Sequence, residues 1–157
     1  MVMIPIMASP LTFQASDVRI LTGLSPSQLR EWTSRRGILP ADQPARGRGR
    51  HAHYAWNTVL VLRILAELHT NFGVELTTWS GLAQRIRDDL TKVHPLSLYG
   101  KYLQIWGGRY EITATPSLTL VSTSTIVPLN PHLQALAVGL GIPTPPAQLS
   151  LFAAVAT

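Results

Sequence analysis

One segment of the sequence carries most of the side chains that could do chemistry. Residues 24–54 include six arginines but only two acidic residues, Glu31 and Asp42. A guanidinium group binds phosphate through two parallel hydrogen bonds and keeps its charge at any physiological pH. The segment therefore predicts contact with a nucleic-acid backbone. The arginines are Arg30, Arg35, Arg36, Arg46, Arg48 and Arg50.

The first half of this segment predicts a helix over residues 26–36. Ser25 suits the N-cap, Pro26 suits the first helical position, and Gln28 can complete a capping box. In a DNA major groove, Arg30 and Arg35 would contact phosphates or guanine, and Gln28 would read adenine. The alternative is the solvated face of an ordinary helical domain. The candidate DNA-binding residues of the helix are Ser25, Ser27, Gln28, Arg30, Glu31, Ser34, Arg35 and Arg36.

The second half of the segment predicts a basic β wing. Gly47 and Gly49 alternate with arginines, so the backbone can approach phosphates or a narrow minor groove. The alternative is a disordered basic loop without a specific role. His51 and His53 would share one face of a strand, but two histidines without a third ligand do not predict a metal site. The candidate DNA-binding residues of the wing are Arg46, Arg48, Arg50, His51 and His53.

Catalysis is not predicted from this sequence. It has no nucleophile elbow, phosphate-binding glycine loop or metal-binding helix motif, and a solvated helix end explains the acidic pair Asp88-Asp89. We expect no cofactor. A hairpin over residues 102–113 could hold a small effector near Trp106 and Tyr110, or could form a dimer interface.

Four helices would position the basic segment. Ser16 predicts the cap of a first helix that carries Val18, Ile20 and Leu21 and stops at Gly23, so that a turn separates it from the helix of residues 26–36. Extended pieces at 38–40 and 51–56 would form the two strands of the wing. Asn57 or Thr58 would cap a third helix, and a fourth would follow Thr77. The predicted buried residues of these last two helices are Val59, Leu62, Leu65, Leu68, Trp79, Leu82, Ile86 and Leu90.

The chain after His94-Pro95 predicts a second, smaller unit. Gly107-Gly108 favours a tight hairpin between strands at 102–106 and 109–113. Further strands are expected at 118–121 and 125–127, followed by a helix from Asn130 to about Leu140. We therefore divide the chain into an arm (1–13), a DNA-binding domain (14–93), a β-rich dimerisation or interaction module (94–142), and a proline-rich linker with an apolar tail (143–157).

Composition supports a polyanionic partner and self-association. The formal net charge is +5, and eleven of the thirteen lysines and arginines lie in residues 1–92. The charged residues of 93–157 are only Lys101, Arg109 and Glu111, and this apolar half predicts a homodimer interface. The absence of cysteine, of a signal-peptide pattern and of an eighteen-residue apolar run predicts a cytoplasmic protein that does not cross a membrane.

Residues 14–91 resemble the winged helix-turn-helix domain of the MerR family. Gly23-Leu24-Ser25 resembles that family's turn, Leu29-Arg30 with Trp32 its Leu-Arg-aromatic pattern, and Gly37-Ile38-Leu39-Pro40 its Gly-Leu-Leu-Pro exit. The segment from Arg50 to Tyr54 resembles the returning wing strand, while Val59, Leu62 and Phe72-Gly73-Val74 resemble the third helix and its bend. The sequence departs from the family by one extra residue between Leu29 and Gly37, another before Gly73, and the lack of a long dimerisation helix.

The expected fold is therefore α+β: a MerR-like winged helix-turn-helix of four helices and a β wing, then a small antiparallel β module with a helix. The resemblance implies a dimeric regulator of transcription that binds specific double-stranded DNA. The layout after His94-Pro95 is also similar to that of MerR-like antitoxins, which implies a toxin as a protein partner. For a regulator of transcription, the possible protein partner is polymerase. An excisionase-like architectural protein of a mobile element is the further alternative.

Overall fold

The computed structural model describes residues 12–118 and 123–141, and it confirms a mixed α+β architecture. The predicted arm before residue 12, residues 119–121 of the predicted strand at 118–121, and the linker and tail after residue 142 lie outside the described residues. The helices are α1 (Ala15–Thr22), α2 (Pro26–Arg30), α3 (Trp56–Phe72), α4 (Leu76–Leu90) and α5 (Asn130–Gly139). The strands are β1 (Thr12–Gln14), β2 (His53–Ala55), β3 (Tyr102–Trp106), β4 (Arg109–Thr113) and β5 (Ser124–Pro128).

Helix α1 ends where the sequence predicts but begins earlier. Gly23 adopts a left-handed conformation (φ 73°) and stops the helix. The prediction of Ser16 as N-cap is wrong, because Gln14 is the N-cap and its backbone N–H donates to the Asp17 carboxylate at 3.1 Å. Ile20 is 82% exposed, since it lies on the face opposite to the buried Val18 and Leu21.

The small sheet pairs β2 with β1, antiparallel. Phe13, which we assigned to the arm, lies opposite Tyr54, and both rings are buried. The predicted first wing strand at 38–40 is wrong. Ile38 and Leu39 are both buried, which does not fit the alternation of a half-exposed strand. A single bridge between Gln43 and His53 closes the loop instead.

Helix α3 runs through the centre of the core. Val59, Leu62, Leu65 and Leu68 are buried as predicted. The prediction of Asn57 or Thr58 as its cap is wrong, because both lie inside the helix and are buried.

Two polar contacts fix the start of α3. The backbone N–H of Ala55, the N-cap residue, donates to the Asp42 carboxylate at 2.7 Å. The Asn57 amide donates to the Arg87 carbonyl at 2.9 Å, which joins the start of α3 to the end of α4. Both contacts are long-range, so the position of α3 depends on the loop before it and on α4.

Helix α4 starts at Leu76, close to the predicted start, and buries Leu82, Ile86 and Leu90 as expected. Trp79 is only partly buried. A 3-10 turn (Pro95–Leu98) leads from α4 into the second sheet. None of the helices in the described ranges is long and apolar enough to cross a membrane.

The second sheet has the strand order β4-β3-β5, with both pairs antiparallel. The predicted hairpin and its Gly107-Gly108 turn are confirmed, and both glycines have positive φ (50° and 72°). The predicted strand at 125–127 and the helix from Asn130 are also confirmed. Gln104 on the central strand is 1% exposed, and its amide holds the Ser117 backbone through bonds of 2.8 and 3.0 Å.

The two halves of the chain share one hydrophobic core. A single cluster of buried residues includes Val18 and Leu62 from the first half and Leu103, Val127 and Leu133 from the second. Helix α5 is also tied to α3, because His132 Nε2 lies 2.9 Å from Glu67 Oε2. Each half therefore depends on the other for the burial of its apolar face.

Candidate nucleic-acid interface

The start of α2 is built as the sequence predicts. The Ser25 hydroxyl accepts from the Gln28 backbone N–H at 3.1 Å, and the Gln28 side-chain oxygen accepts from the Ser25 N–H at 3.0 Å. Ser27 joins this network through a hydroxyl contact of 3.1 Å with Ser25. These side chains satisfy backbone donors that a helix start leaves open. The role of these side chains in the structure is to stabilise the start of the helix: Ser25 and Gln28 cap it, and Ser27 contacts the capping hydroxyl.

The predicted helix of residues 26–36 changes its geometry halfway. Glu31–Arg35 forms a π-helical turn, and the Arg36 N–H donates to the Glu31 carbonyl five residues earlier at 2.8 Å. A π turn adds one residue to a helix without moving the faces on either side. Leu29, Trp32 and Thr33 consequently stay buried, and Gly37 still provides the left-handed exit (φ 58°).

Glu31 sits between two arginines on this turn. Its carboxylate lies 2.9 Å from Arg36 Nε and 3.6 Å from Arg35 Nη1. Both arginines are exposed, so these ion pairs are weak and can yield to a phosphate. Arg30, by contrast, has no acidic side chain within ion-pair distance in the described chain.

The basic loop (residues 44–52) lies where the β wing is predicted, but the predicted first strand of that wing is absent. His53 closes it through two backbone hydrogen bonds with Gln43, at 2.8 and 3.0 Å. Gly47 and Gly49 have φ values of 73° and 82°, a region that side chains with a Cβ rarely adopt. Arg46, Arg48, Arg50 and His51 are exposed, whereas His53 is partly buried in β2. The two histidines therefore do not share the face of one strand.

Three elements meet at a cleft of about 400 Å³, which we call the basic cleft. Helix α1 contributes Ser16 and Arg19. Helix α2 and the π turn after it, together called the α2 segment (residues 26–36), contribute Arg30 and Ser34, and the basic loop contributes Arg50 and His51. Leu29 and Tyr54 are among its apolar lining residues. Of the predicted site residues, Arg30, Ser34, Arg50 and His51 therefore line one site. The cleft is not lined by Ser25, Ser27, Gln28, Glu31, Arg35, Arg36, Arg46, Arg48 or His53.

The sequence reasoning missed Ser16 and Arg19. The sequence predicts Ser16 only as a helix cap, and it predicts no role for Arg19. The two lie three residues apart, which places them on one face of a helix. This spacing indicates a shared helix face, but it indicates a binding site only in combination with the position of α1 beside α2.

The charge around the basic cleft is one-sided. None of the described residues that line it is acidic. The nearby carboxylates have local structural roles: Asp17 accepts from Gln14, Asp42 accepts from Ala55, and Glu31 pairs with its neighbouring arginines. The guanidinium groups of Arg19 and Arg50 have no ion-pair partner among the described residues. This arrangement can hold anionic oxygens at several points along one surface.

No family model matches this chain, and none of the curated proteins matches it either. Within the described residues, no group of three or more metal-ligating side chains is placed to hold a metal ion. The fold and the site thus define an α+β protein with a basic cleft beside a capped helix.

Proposed function

We propose that this chain is a MerR-like winged helix-turn-helix protein that binds specific double-stranded DNA and regulates transcription as a dimer. The observation that carries the proposal is the basic cleft. One arginine from each of three elements, Arg19, Arg30 and Arg50, lines it, and none of its described lining residues is acidic. In this proposal α1 and the α2 segment form the helix-turn-helix, and the basic loop is the wing.

The order of the elements supports the proposal. Helix α1, a turn at Gly23, a capped α2 and a basic loop follow one another, and the turn and the loop are closed by backbone contacts. The π turn absorbs one residue between Leu29 and Gly37. This residue is the extra one by which the sequence departs from the MerR family pattern. Because the π turn absorbs it, the buried face of the helix is not displaced.

The partner in this proposal is DNA, which arginines bind mainly through phosphates. Phosphate contacts supply affinity and fix the register, while side chains that reach base edges supply specificity. Arg30 and Ser34 are the exposed polar residues that the α2 segment contributes to the cleft, so we assign sequence readout to them. Arg19 and Arg50 flank them and are assigned to phosphates.

Self-association is the second part of the proposal. In the half of the chain that is poor in charge, Leu96, Leu118 and Val138 are exposed by 66, 86 and 69%. Exposed apolar side chains on a soluble domain favour contact with another protein surface. A two-fold dimer should prefer an inverted repeat in its DNA site.

Selection from a library of random duplexes tests both parts. The full chain is incubated with the library at about 150 mM salt, and the retained DNA is sequenced over several rounds. We expect an enriched motif with two-fold symmetry and half-sites about one helical turn apart. An enriched motif without symmetry would contradict the dimer, and a library that stays random would contradict specific binding.

A further inference from the structure

A second cavity lies away from the basic cleft, between α4 and the tip of the β3–β4 hairpin. Its volume is about 470 Å³, which falls within the range of small-molecule pockets. Both sides contribute an indole ring and an aliphatic side chain, and α4 adds a guanidinium group. The lining residues used here are Trp79, Leu82, Arg85, Ile105, Trp106 and Thr125.

Two polar contacts hold the hairpin tip against α4. Arg85 Nη2 donates to the Gly108 carbonyl at 2.8 Å, and the Tyr110 hydroxyl donates to the Asp89 carboxylate. Burial, followed by the contact with Asp89, raises the pKa of Tyr110 to about 12, so this hydroxyl stays protonated and keeps donating. The cavity walls are therefore fixed before a ligand enters, which lowers the entropic cost of binding.

The lining residues define the chemistry of a ligand. In the part of the chain that the structure describes, the residues that line the cavity include no acidic side chain, and Arg85 supplies its positive charge. A guanidinium group has five N–H donors, and Arg85 gives one hydrogen bond to Gly108, so further donors can meet an anion. The hydroxyl of Thr125 adds a neutral donor. These groups favour a carboxylate or a similar anion.

The two tryptophans add a preference for a flat ring. Elsewhere in the chain Trp32 packs edge-on against His69, with ring centroids 5.7 Å apart. Among the described residues, Trp79 and Trp106 have no such ring partner, although both line the same cavity. An aromatic ring between them would gain offset or edge-to-face contacts. We propose that this cavity binds a small planar aromatic anion, such as an aromatic carboxylate.

Helix α4 joins this cavity to the proposed DNA-binding segment. Gln84, next to Arg85, donates from its amide to the carbonyls of Gly37 and Ile38 at 3.0 and 3.2 Å. Those two residues form the exit of the α2 segment. A ligand that adds contacts to α4 would therefore also stabilise this exit and change DNA affinity. This consequence rests on the proposed function, whereas the ligand site itself does not.

Ligand binding is tested without DNA by NMR of the full ¹⁵N-labelled chain. The probe is 2-naphthoate, and its neutral amide, 2-naphthamide, is the matched control for charge. The chain has four indole N–H signals, each assigned with a Trp→Phe variant. We expect 2-naphthoate to shift the signals of Trp79 and Trp106 and to leave those of Trp32 and Trp56 in place. The amide should bind at least about tenfold more weakly, because it lacks the charge that Arg85 meets.

The variants sharpen the test. Arg85→Gln should weaken 2-naphthoate binding about tenfold and leave 2-naphthamide binding unchanged, while Lys92→Gln, just beyond α4, should change neither. Should Arg85→Gln loosen the hairpin, the comparison of the two probes on the unaltered chain still decides the matter. Equal affinity for both probes would overturn the anion site. Absent shifts at Trp79 and Trp106, or equal shifts at Trp56, would overturn the cavity assignment.

Discussion

The triple variant Arg19→Ala, Arg30→Ala, Arg50→Ala removes one guanidinium group from each element that lines the basic cleft. All three side chains are exposed and have no ion-pair partner among the described residues, so the variant should fold normally. If Arg19 and Arg50 each contact one phosphate and Arg30 reads a base edge, the loss of two phosphate contacts makes the slope of log K against log salt shallower by about 1.8.

That slope change is large enough to measure. Between about 50 and 200 mM salt, the unaltered chain should lose about 12-fold more affinity than the variant. Fluorescence anisotropy with one labelled duplex, repeated at five or six salt concentrations, gives both slopes. Arg109→Ala is the matched control, because it removes an exposed arginine that does not line the basic cleft. It should leave the slope within about 0.3 of the original.

Two results would refute this reasoning. Equal slopes for the triple variant and the unaltered chain would show that the basic cleft does not contact phosphate. A slope that falls as much for Arg109→Ala would show that net charge alone, rather than the basic cleft, determines binding. The single variants then separate the elements, since Arg19→Ala and Arg50→Ala should each make the slope shallower by about 0.9, and Arg30→Ala should change it less.

Three further predictions concern stability. Ser25→Ala removes the α2 cap and should lower the free energy of unfolding in urea by about 1 kcal/mol. Ser34→Ala, the control, should lower it by less than about 0.5 kcal/mol. Equal losses for the two variants would contradict the capping role. Burial holds the pKa of His132 below its ordinary value of 6.5, so the unfolded chain binds a proton more readily and stability falls as the pH drops below about 6.5. His132→Gln should flatten that fall in thermal melts, and an unchanged pH profile would remove His132 as its cause. Leu133→Ala should cost about 2–5 kcal/mol in urea unfolding if α5 completes the shared core, and a cost under about 0.5 kcal/mol would contradict it.

The elements that could be predicted from the sequence are those with strong local signals. Leucine spacing over α3, the Ser25–Gln28 capping pattern and the Gly107-Gly108 turn each involve residues close in the chain. The physical causes of these structures act over three to seven residues, or across a two-residue turn. They are therefore visible without knowledge of the fold.

The features that were missed depend on distant partners. Strand β1 exists because Phe13 packs opposite Tyr54, forty-one positions later, and α3 starts directly after Ala55 because Asp42 accepts the Ala55 N–H. Neither of these contacts produces a periodic pattern in the amino-acid sequence. The same reason explains Arg19 in the basic cleft, which becomes a site residue only through the packing of α1 beside α2.

The cap geometry determines which side chains of the α2 segment are available to read DNA bases. Bidentate reading of adenine requires both the oxygen and the nitrogen of an amide, but the Gln28 oxygen already accepts from the Ser25 N–H. Reading a base with that oxygen would compete with the cap that holds the helix start. Arg30 has no such engagement and lines the basic cleft, so it can donate two hydrogen bonds to guanine without loss to the helix. We therefore expect Arg30→Ala to relax sequence preference, and Gln28→Ala to act mainly through stability.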